Sequence, residues 1–293
     1  MGPILMPYRS AAGTHLTDND HEPGPALYDH RVGRVPFDTS VPHPARVYDY
    51  WLGGKDNFAA DREVAEEVLR VMPVMAQIAR SCRLFLSTVV HHLAADLGVV
   101  QFLDIGTGLP TADNTHEVAQ RAVPEARVAY VDNDPIVLAH SRALLRAGRR
   151  GRCAYIDADA RDVGKILAEA ADTLDFTQPV AVIMLGLLHY IPDADEPYSL
   201  PGRYLDAFVP GSYLVASHAS SDIKQAGQSE AATSYNTQAT IPITLRSREE
   251  FARFFRGLDL VPPGIAPLGQ WVPGATETGP PTLPTYTALA RKP

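Results

Sequence analysis

Cysteine is scarce. The 293 residues hold two, Cys82 and Cys153, which form no disulfide framework and no metal or redox motif. Both lie in apolar context and read as small buried hydrophobes. A chain without a disulfide framework is expected in a reducing cytoplasm. No run of about 18 apolar residues occurs, so no membrane span is expected. The first residues lack the charged start and apolar stretch of a secretory signal. Positive charge is also sparse: the formal net charge is -8. The single arginine cluster, Arg146, Arg149, Arg150 and Arg152, reads as the solvated end of a helix, where cations suit the negative dipole pole. No nucleic-acid partner is therefore expected. A phosphate-binding Gly-Lys-Ser/Thr loop is missing too. His91 and His92 lack a carboxylate or cysteine partner at metal spacing, so they read as surface residues and no metal is expected.

What remains is an ordinary globular composition, 45% hydrophobic and 20% charged, on a chain long enough to bury a full core. Residues 1–40 mix Gly, Pro, His and Asp without period and read as a flexible arm. Residues 41–98 read as a helical cap of three helices, over 45–52, 58–70 and 73–97. In the third, Val74, Ile78, Leu84, Leu86, Val89, Val90 and Leu93 recur close to helical period. Residues 99–293 then alternate strand and helix, with strands at 99–105, 127–131, 153–156, 179–185 and 213–217. Asn114 to Glu117 and Ser247 to Glu250 are capping boxes that open helices. The sequence from His218 onward does not read as strand, and 219–246 shows no clear period; Tyr235, Asn236 and Gln238 there are candidates for a lid or acceptor wall. A weak strand near 258–261 and a clear one at 285–290 are expected to close the sheet as an antiparallel hairpin. The fold class is α/β: a Rossmann-like, doubly wound, seven-stranded, mostly parallel sheet with an N-terminal helical cap.

The candidate chemistry lies at successive strand ends, where open α/β sheets bind ligands. Asp104-Ile-Gly106-Thr-Gly108 follows the first strand, and its glycines permit a sharp turn and close backbone approach to a ligand. Asp132 ends the second strand at the place of a ribose-binding acid, while Asp134 before Pro135 reads as a helix cap. Asp159-Ala160 follows the third strand, and Gly186 to His189-Tyr190 follows the fourth. A dinucleotide fingerprint wants a third glycine where this chain has Thr111. A carboxylate at Asp104 would repel pyrophosphate yet suits a ligand bearing an amino group.

These motifs resemble the ordered motifs of class I S-adenosylmethionine-dependent methyltransferases. More narrowly, Ala45-Arg-Val-Tyr-Asp-Tyr-Trp-Leu-Gly-Gly-Lys-Asp-Asn-Phe-Ala-Ala-Asp-Arg62 is similar to the hallmark of an S-adenosyl methyltransferase family long catalogued as a domain of unknown function. The resemblance implies S-adenosyl-L-methionine as cofactor and assigns roles. Asp104, Gly106 and Gly108 would line the methionine part, Asp132 the ribose, and Asn133, Asp159 and Ala160 the adenine. Gly186 and His189 would lie near the sulfonium. Tyr50, Lys55 and Asn57 are implied candidates for the cofactor carboxylate or the substrate, and Trp51 for the core.

Competing readings remain at this stage. Arg46, Asp49, Lys55 and Asp61 also fit a solvated helix face, and His189 fits a satisfied core histidine. The leading function is in-line methyl transfer to an unidentified small molecule, with His189 as general base and Tyr190 facing the sulfonium. A second is cyclisation or cleavage of the cofactor's amino acid chain with release of methylthioadenosine. A third is a non-catalytic S-adenosylmethionine-binding protein. The sequence does not reveal an oligomeric state.

Overall fold

The computed structural model describes residues 38–111, 113–139, 151–279 and 283–293. The expected arm lies almost wholly outside the described residues, as do Arg146, Arg149 and Arg150; Arg152 is the exposed first residue of a strand.

Five parallel strands form the body of one sheet. They are β1 (Gln101–Ile105), β2 (Arg127–Asp132), β3 (Arg152–Asp157), β4 (Ala181–Met184) and β5 (Tyr213–Ala219). β6 (Asp259–Leu260), β7 (Ala266–Pro267) and β8 (Thr285–Arg291) complete it in the order β3-β2-β1-β4-β5-β8-β6, with β7 paired to β8 off that path. The expected seven-stranded path is present, and the two-residue β7 is an eighth strand. β8 runs antiparallel to both β5 and β6, as the hairpin reading requires. The strand order turns around at β1, which lies between β2 and β4, so a crevice opens at its carboxyl end.

Alternation along the strands feeds two cores. Phe102, Val128, Tyr130, Ile183 and Val215 point to one face, where they meet the cap helices α1 (Pro44–Leu52), α2 (Ala59–Val71) and α3 (Met75–His91). The neighbours in each strand, Leu103, Ile105, Val131, Val182, Met184 and Leu214, point to the other face. There they meet α6 (Val163–Ala170), α7 (Leu200–Leu205) and α9 (Arg248–Ala252). Each aliphatic side chain buried this way contributes about 1.5–3 kcal/mol. α4 (Thr115–Ala122) starts with the expected capping box, in which the Asn114 N–H donates to Glu117 Oε2 at 2.8 Å. α5 begins at Pro135 and is described through residue 139, with the Asp134 carboxylate accepting from the Ile136 N–H at 2.8 Å.

Several expectations are corrected. The third helix ends at His91 and continues as a π-helical turn, His92–Asp96. That turn brings His92 Nδ1 to 2.7 Å from Asp96 Oδ2 with the ring edge toward Trp271, so His92 is no free surface residue. Leu84 is 67% exposed, off the apolar stripe of its neighbours. β5 runs two residues past Ser217, because His218 is buried and finds partners. The aperiodic stretch 219–246 contains α8 (Gln228–Gln238). Only Ala231 and Tyr235 of α8 are buried, a stripe too narrow to register as a period. Its preceding Gly227 (φ 75°) touches α2 so closely that an added Cβ would sit 1.8 Å from the Val71 carbonyl oxygen.

Candidate active site

The glycine loop after β1 is held open by its backbone. Gly106 and Gly108 have φ of 72° and 67°, a region that L side chains rarely adopt. A Cβ on Gly106 would lie 2.8 Å from Leu187 Cδ1, whereas one on Gly108 meets nothing within 4 Å. Gly106 N–H bonds to the Val131 carbonyl at 2.8 Å, which ties the loop to β2. The Asp132 carboxylate accepts from the Gly108 N–H at 2.8 Å and from the Asp134 N–H at 2.9 Å. A carboxylate has about four acceptor sites, so capacity remains for a ligand hydroxyl. Asp104 Oδ2 accepts from Thr115 Oγ1 at 2.6 Å. Burial pushes the Asp104 carboxyl up to about 6, against the lowering effects of the Thr115 hydrogen bond and the Arg83 charge. Burial also raises Asp132, opposed by its backbone donors.

Beside this loop lies a cavity of about 580 Å³, within the range that encloses small ligands. Asp104, Gly106, Gly108, Asp132, Asn133, Asp159, Ala160, Gly186, His189 and Tyr190 all line it. Tyr50, Lys55 and Asn57 do not. The Tyr50 hydroxyl donates to Glu66 Oε1 at 2.8 Å, Lys55 is exposed, and Asn57 Nδ2 donates to Asp49 Oδ2 at 2.8 Å and to the Gly54 carbonyl at 3.1 Å. The hallmark segment thus folds largely onto itself. Of the four residues that could form a solvated face, Lys55 is exposed, but Arg46, Asp49 and Asp61 are buried. Asp61 accepts from the His43 and Phe58 N–H groups, and His43 Nδ1 lies 2.9 Å from Asp134 Oδ2, with Arg46 Nε 3.4 Å from Asp61 and 3.7 Å from Asp134. These contacts dock α1 on the end of β2. Trp51 is core, as implied, with Nε1 donating to the Ala65 carbonyl, and it also reaches the cavity wall.

His189 keeps part of its surface open to the cavity, 4.3 Å between centroids from the Tyr190 ring. Its Nδ1 is enclosed without a hydrogen-bond partner, so it is not a satisfied core histidine. Burial, then the neighbouring His218 and Arg246, hold its proton affinity well below the ordinary histidine value. Burial pushes the Tyr190 phenol up to about 12. Both side chains are therefore neutral at pH 7. Cys82, expected as a buried hydrophobe, is half-buried and lines the cavity, its thiol pushed up to about 12 by burial.

The loop after β4 is clamped from behind. Arg246, 1% exposed, donates from Nη1 to the Leu188 carbonyl at 3.0 Å and to His218 Nε2 at 2.8 Å. Its Nη2 donates to the Ile191 carbonyl at 2.9 Å and to Asp193 Oδ1 at 2.7 Å. His218 Nδ1 faces the Ala219 carbonyl at 2.8 Å and must carry the proton, which leaves Nε2 as acceptor for Arg246.

Sequence reasoning missed several lining residues, among them His43, Arg83 and Ser217. Arg83 had a readable signal: a cation on α3 within the stripe Met75, Ile78, Cys82 and Leu86, which also faces the cavity. Ser217 accepts the Gly186 N–H at 2.9 Å. Of the candidate lid residues, Tyr235 lines the cavity, but Asn236 is tied to Ile243 and Gln238 to Ser234.

The lining fits the expected cofactor. Its amino acid end is a zwitterion, and Arg83 and Asp104 bring a cation and a carboxylate to the same part of the wall. Asp132 follows at the second strand. At the third, Asp159 is pinned by Arg161, whose Nε and Nη2 donate to it at 2.8 and 2.6 Å, hydrogen bonds that hold its carboxyl below the usual range against the effect of burial.

Comparison with known proteins agrees with this geometry. A family model described as S-adenosyl methyltransferase matches residues 31–293. The chain is similar to the crystal structure of a DUF574 family protein from Streptomyces avermitilis, at 41% identity and a TM-score of 0.82, covering 87% of this chain and 99% of that one. It is similar as well to a candidate methyltransferase from Thermobifida fusca, at 38% identity and a TM-score of 0.79, covering 87% of this chain and 96% of that one. No curated protein gives a significant match.

Proposed function

Because the chain belongs to the S-adenosyl methyltransferase family and is an S-adenosylmethionine-dependent methyltransferase, we propose that it methylates a small molecule inside the 580 Å³ cavity. The observation that carries this reading is the run of charged groups along the strand ends, with Arg83 of α3 beside the first of them. Arg83 and Asp104 hold the carboxylate and amino group of the cofactor, Asp132 the ribose, and Asn133, Asp159 and Ala160 the adenine. A nucleic acid would need a basic surface that the net charge of -8 does not provide.

When bound, the cofactor supplies an electrophilic methyl group: the carbon–sulfur bond breaks with its electron pair left on sulfur as the bond to the acceptor forms. The cavity positions the acceptor beside the cofactor, which contributes several kcal/mol through proximity. His189 is the proton acceptor. Its Nδ1 is enclosed, so Nε2 is the nitrogen that takes the acceptor's proton. A lowered proton affinity makes it a weak base but keeps it unprotonated at neutral pH. The neutral Tyr190 ring beside it offers an electron-rich face to a cation.

The test uses the full chain with methyl-labelled S-adenosylmethionine, a small-molecule panel, and a control with cofactor alone. Label moving to a panel member supports the proposal. Methylthioadenosine above the uncatalysed background in the control supports cofactor-chain cleavage instead. S-adenosylhomocysteine binding by calorimetry, with neither product, leaves a binding protein.

A further inference from the structure

The cavity is chemically divided. Its charged lining residues are Asp104, Asp132, Asp159, Arg161 and Asp195 at and after the strand ends, with Arg83 of α3 beside Asp104. Arg161 bridges Asp159 and Asp195, with Nη1 2.5 Å from Asp195 Oδ2, so even the outermost of them are paired. Much of the remaining lining comes from α1, α2, α3, α8 and the segment after it. There Met72, Met75, Ile78, Ala231, Tyr235 and Ile243 face the space. Among the described residues, Arg83 is the one charged side chain that these elements turn to the cavity, and its charge acts on Asp104. The polar atoms closest to it are spoken for or neutral: the Tyr48 hydroxyl donates to the Ala79 carbonyl at 2.9 Å, and burial pushes the Tyr190 and Cys82 protons up to about 12.

We infer that the methyl acceptor is an uncharged, largely apolar small molecule seated between Met72, Met75 and Ile78 on one side and Tyr235 on the other. This inference rests on the cofactor occupying the charged wall. An ion placed in the neutral part would lose its hydration and find no opposite charge. An apolar body gains from leaving water, and methionine side chains adapt their shape to it. The occupied cofactor half also supplies a positive sulfonium, which disfavours a cationic acceptor further.

The experiment uses the full-length protein saturated with S-adenosylhomocysteine, which leaves only the neutral part free. Binding of 2-naphthol, 2-naphthoate and 2-naphthylmethylammonium is measured by calorimetry at pH 7. These probes share a ring system and differ in charge. The expected result is a Kd for 2-naphthol at least tenfold below those of both ions. In Met75→Lys the ratio of naphthoate to naphthol affinity should rise at least fivefold, because a cation then faces the apolar part. Equal or tighter binding of either ion, no binding of any probe, or an unchanged ratio in a folded Met75→Lys protein overturns the inference. Failure of S-adenosylhomocysteine itself to bind overturns the cofactor reading instead, so the two failures are distinguishable.

Discussion

Two buried charged clusters brace the cavity walls, and they are built on opposite plans. In the first, the carboxylates of Asp61 and Asp134 gather backbone N–H groups, His43 and Arg46 to dock α1 on β2. In the second, the single guanidinium of Arg246 gathers two carbonyls, His218 and Asp193 to fix the loop that carries His189. The first cluster shares its anchoring among several side chains, and the second concentrates it in one. A distributed anchor loses part of its hold when one member is removed; a concentrated anchor loses nearly all of it.

The sharpest way to break this contrast is Arg246→Met. It leaves the Ile191 carbonyl without its Arg246 donor and the Leu188 carbonyl with only the Ile191 N–H at 3.3 Å, and a loss of about 3–5 kcal/mol is expected in denaturant unfolding. S-adenosylhomocysteine affinity should fall more than tenfold, since the loop bearing Gly186 and His189 is released.

The second test separates the clusters by pH. Burial, helped by the Arg246 charge and opposed by the Ala219 carbonyl, lowers the His218 proton affinity to about 4, from an unfolded value of about 6.5. Between those values the unfolded chain takes up a proton that the folded chain refuses. Stability therefore falls by up to about 3 kcal/mol as pH drops from about 6.5 to about 4. His189 acts in the same direction. Asp134 behaves differently: burial opposes its ionisation, but His43 and Arg46 outweigh this and hold it below the ordinary value. Its contribution is present above about 3.9 and is lost only as pH falls below that. Thermal melts across pH should show two separate losses, and His218→Gln should shrink the upper one, to the share that His189 contributes, while leaving the lower one.

The smallest effect is expected for Asp61→Asn, about 2 kcal/mol, because one oxygen still accepts while the amide nitrogen faces a donor. A loss equal to that of Arg246→Met would end the contrast between shared and concentrated anchoring.

The difference between the clusters also explains what the sequence made legible. Asp104, Asp132, Asp159 and Gly186 could be placed because a parallel sheet aligns every strand end at one edge, so position along the chain implies position in space. The segment from Tyr48 to Asp61 was recognisable, but residue type alone does not give direction: Asn57 turns to Asp49, and Tyr50 turns to Glu66. Arg246 carried no local signal, because its four partners lie 28 to 58 residues away. The narrow buried stripe of α8 was invisible for a related reason, since its fit depends on Gly227 meeting Val71 across the fold.

That meeting has a consequence during synthesis. The apolar face presented by Met72, Met75 and Ile78 leaves the ribosome long before α8 exists to face it. The interval between Val71 and Gln228 is roughly 160 residues, or about 8–30 s at ~5–20 residues per second. For that time the nascent chain displays one wall of its own cavity, an apolar surface that stays uncovered until α8 is made.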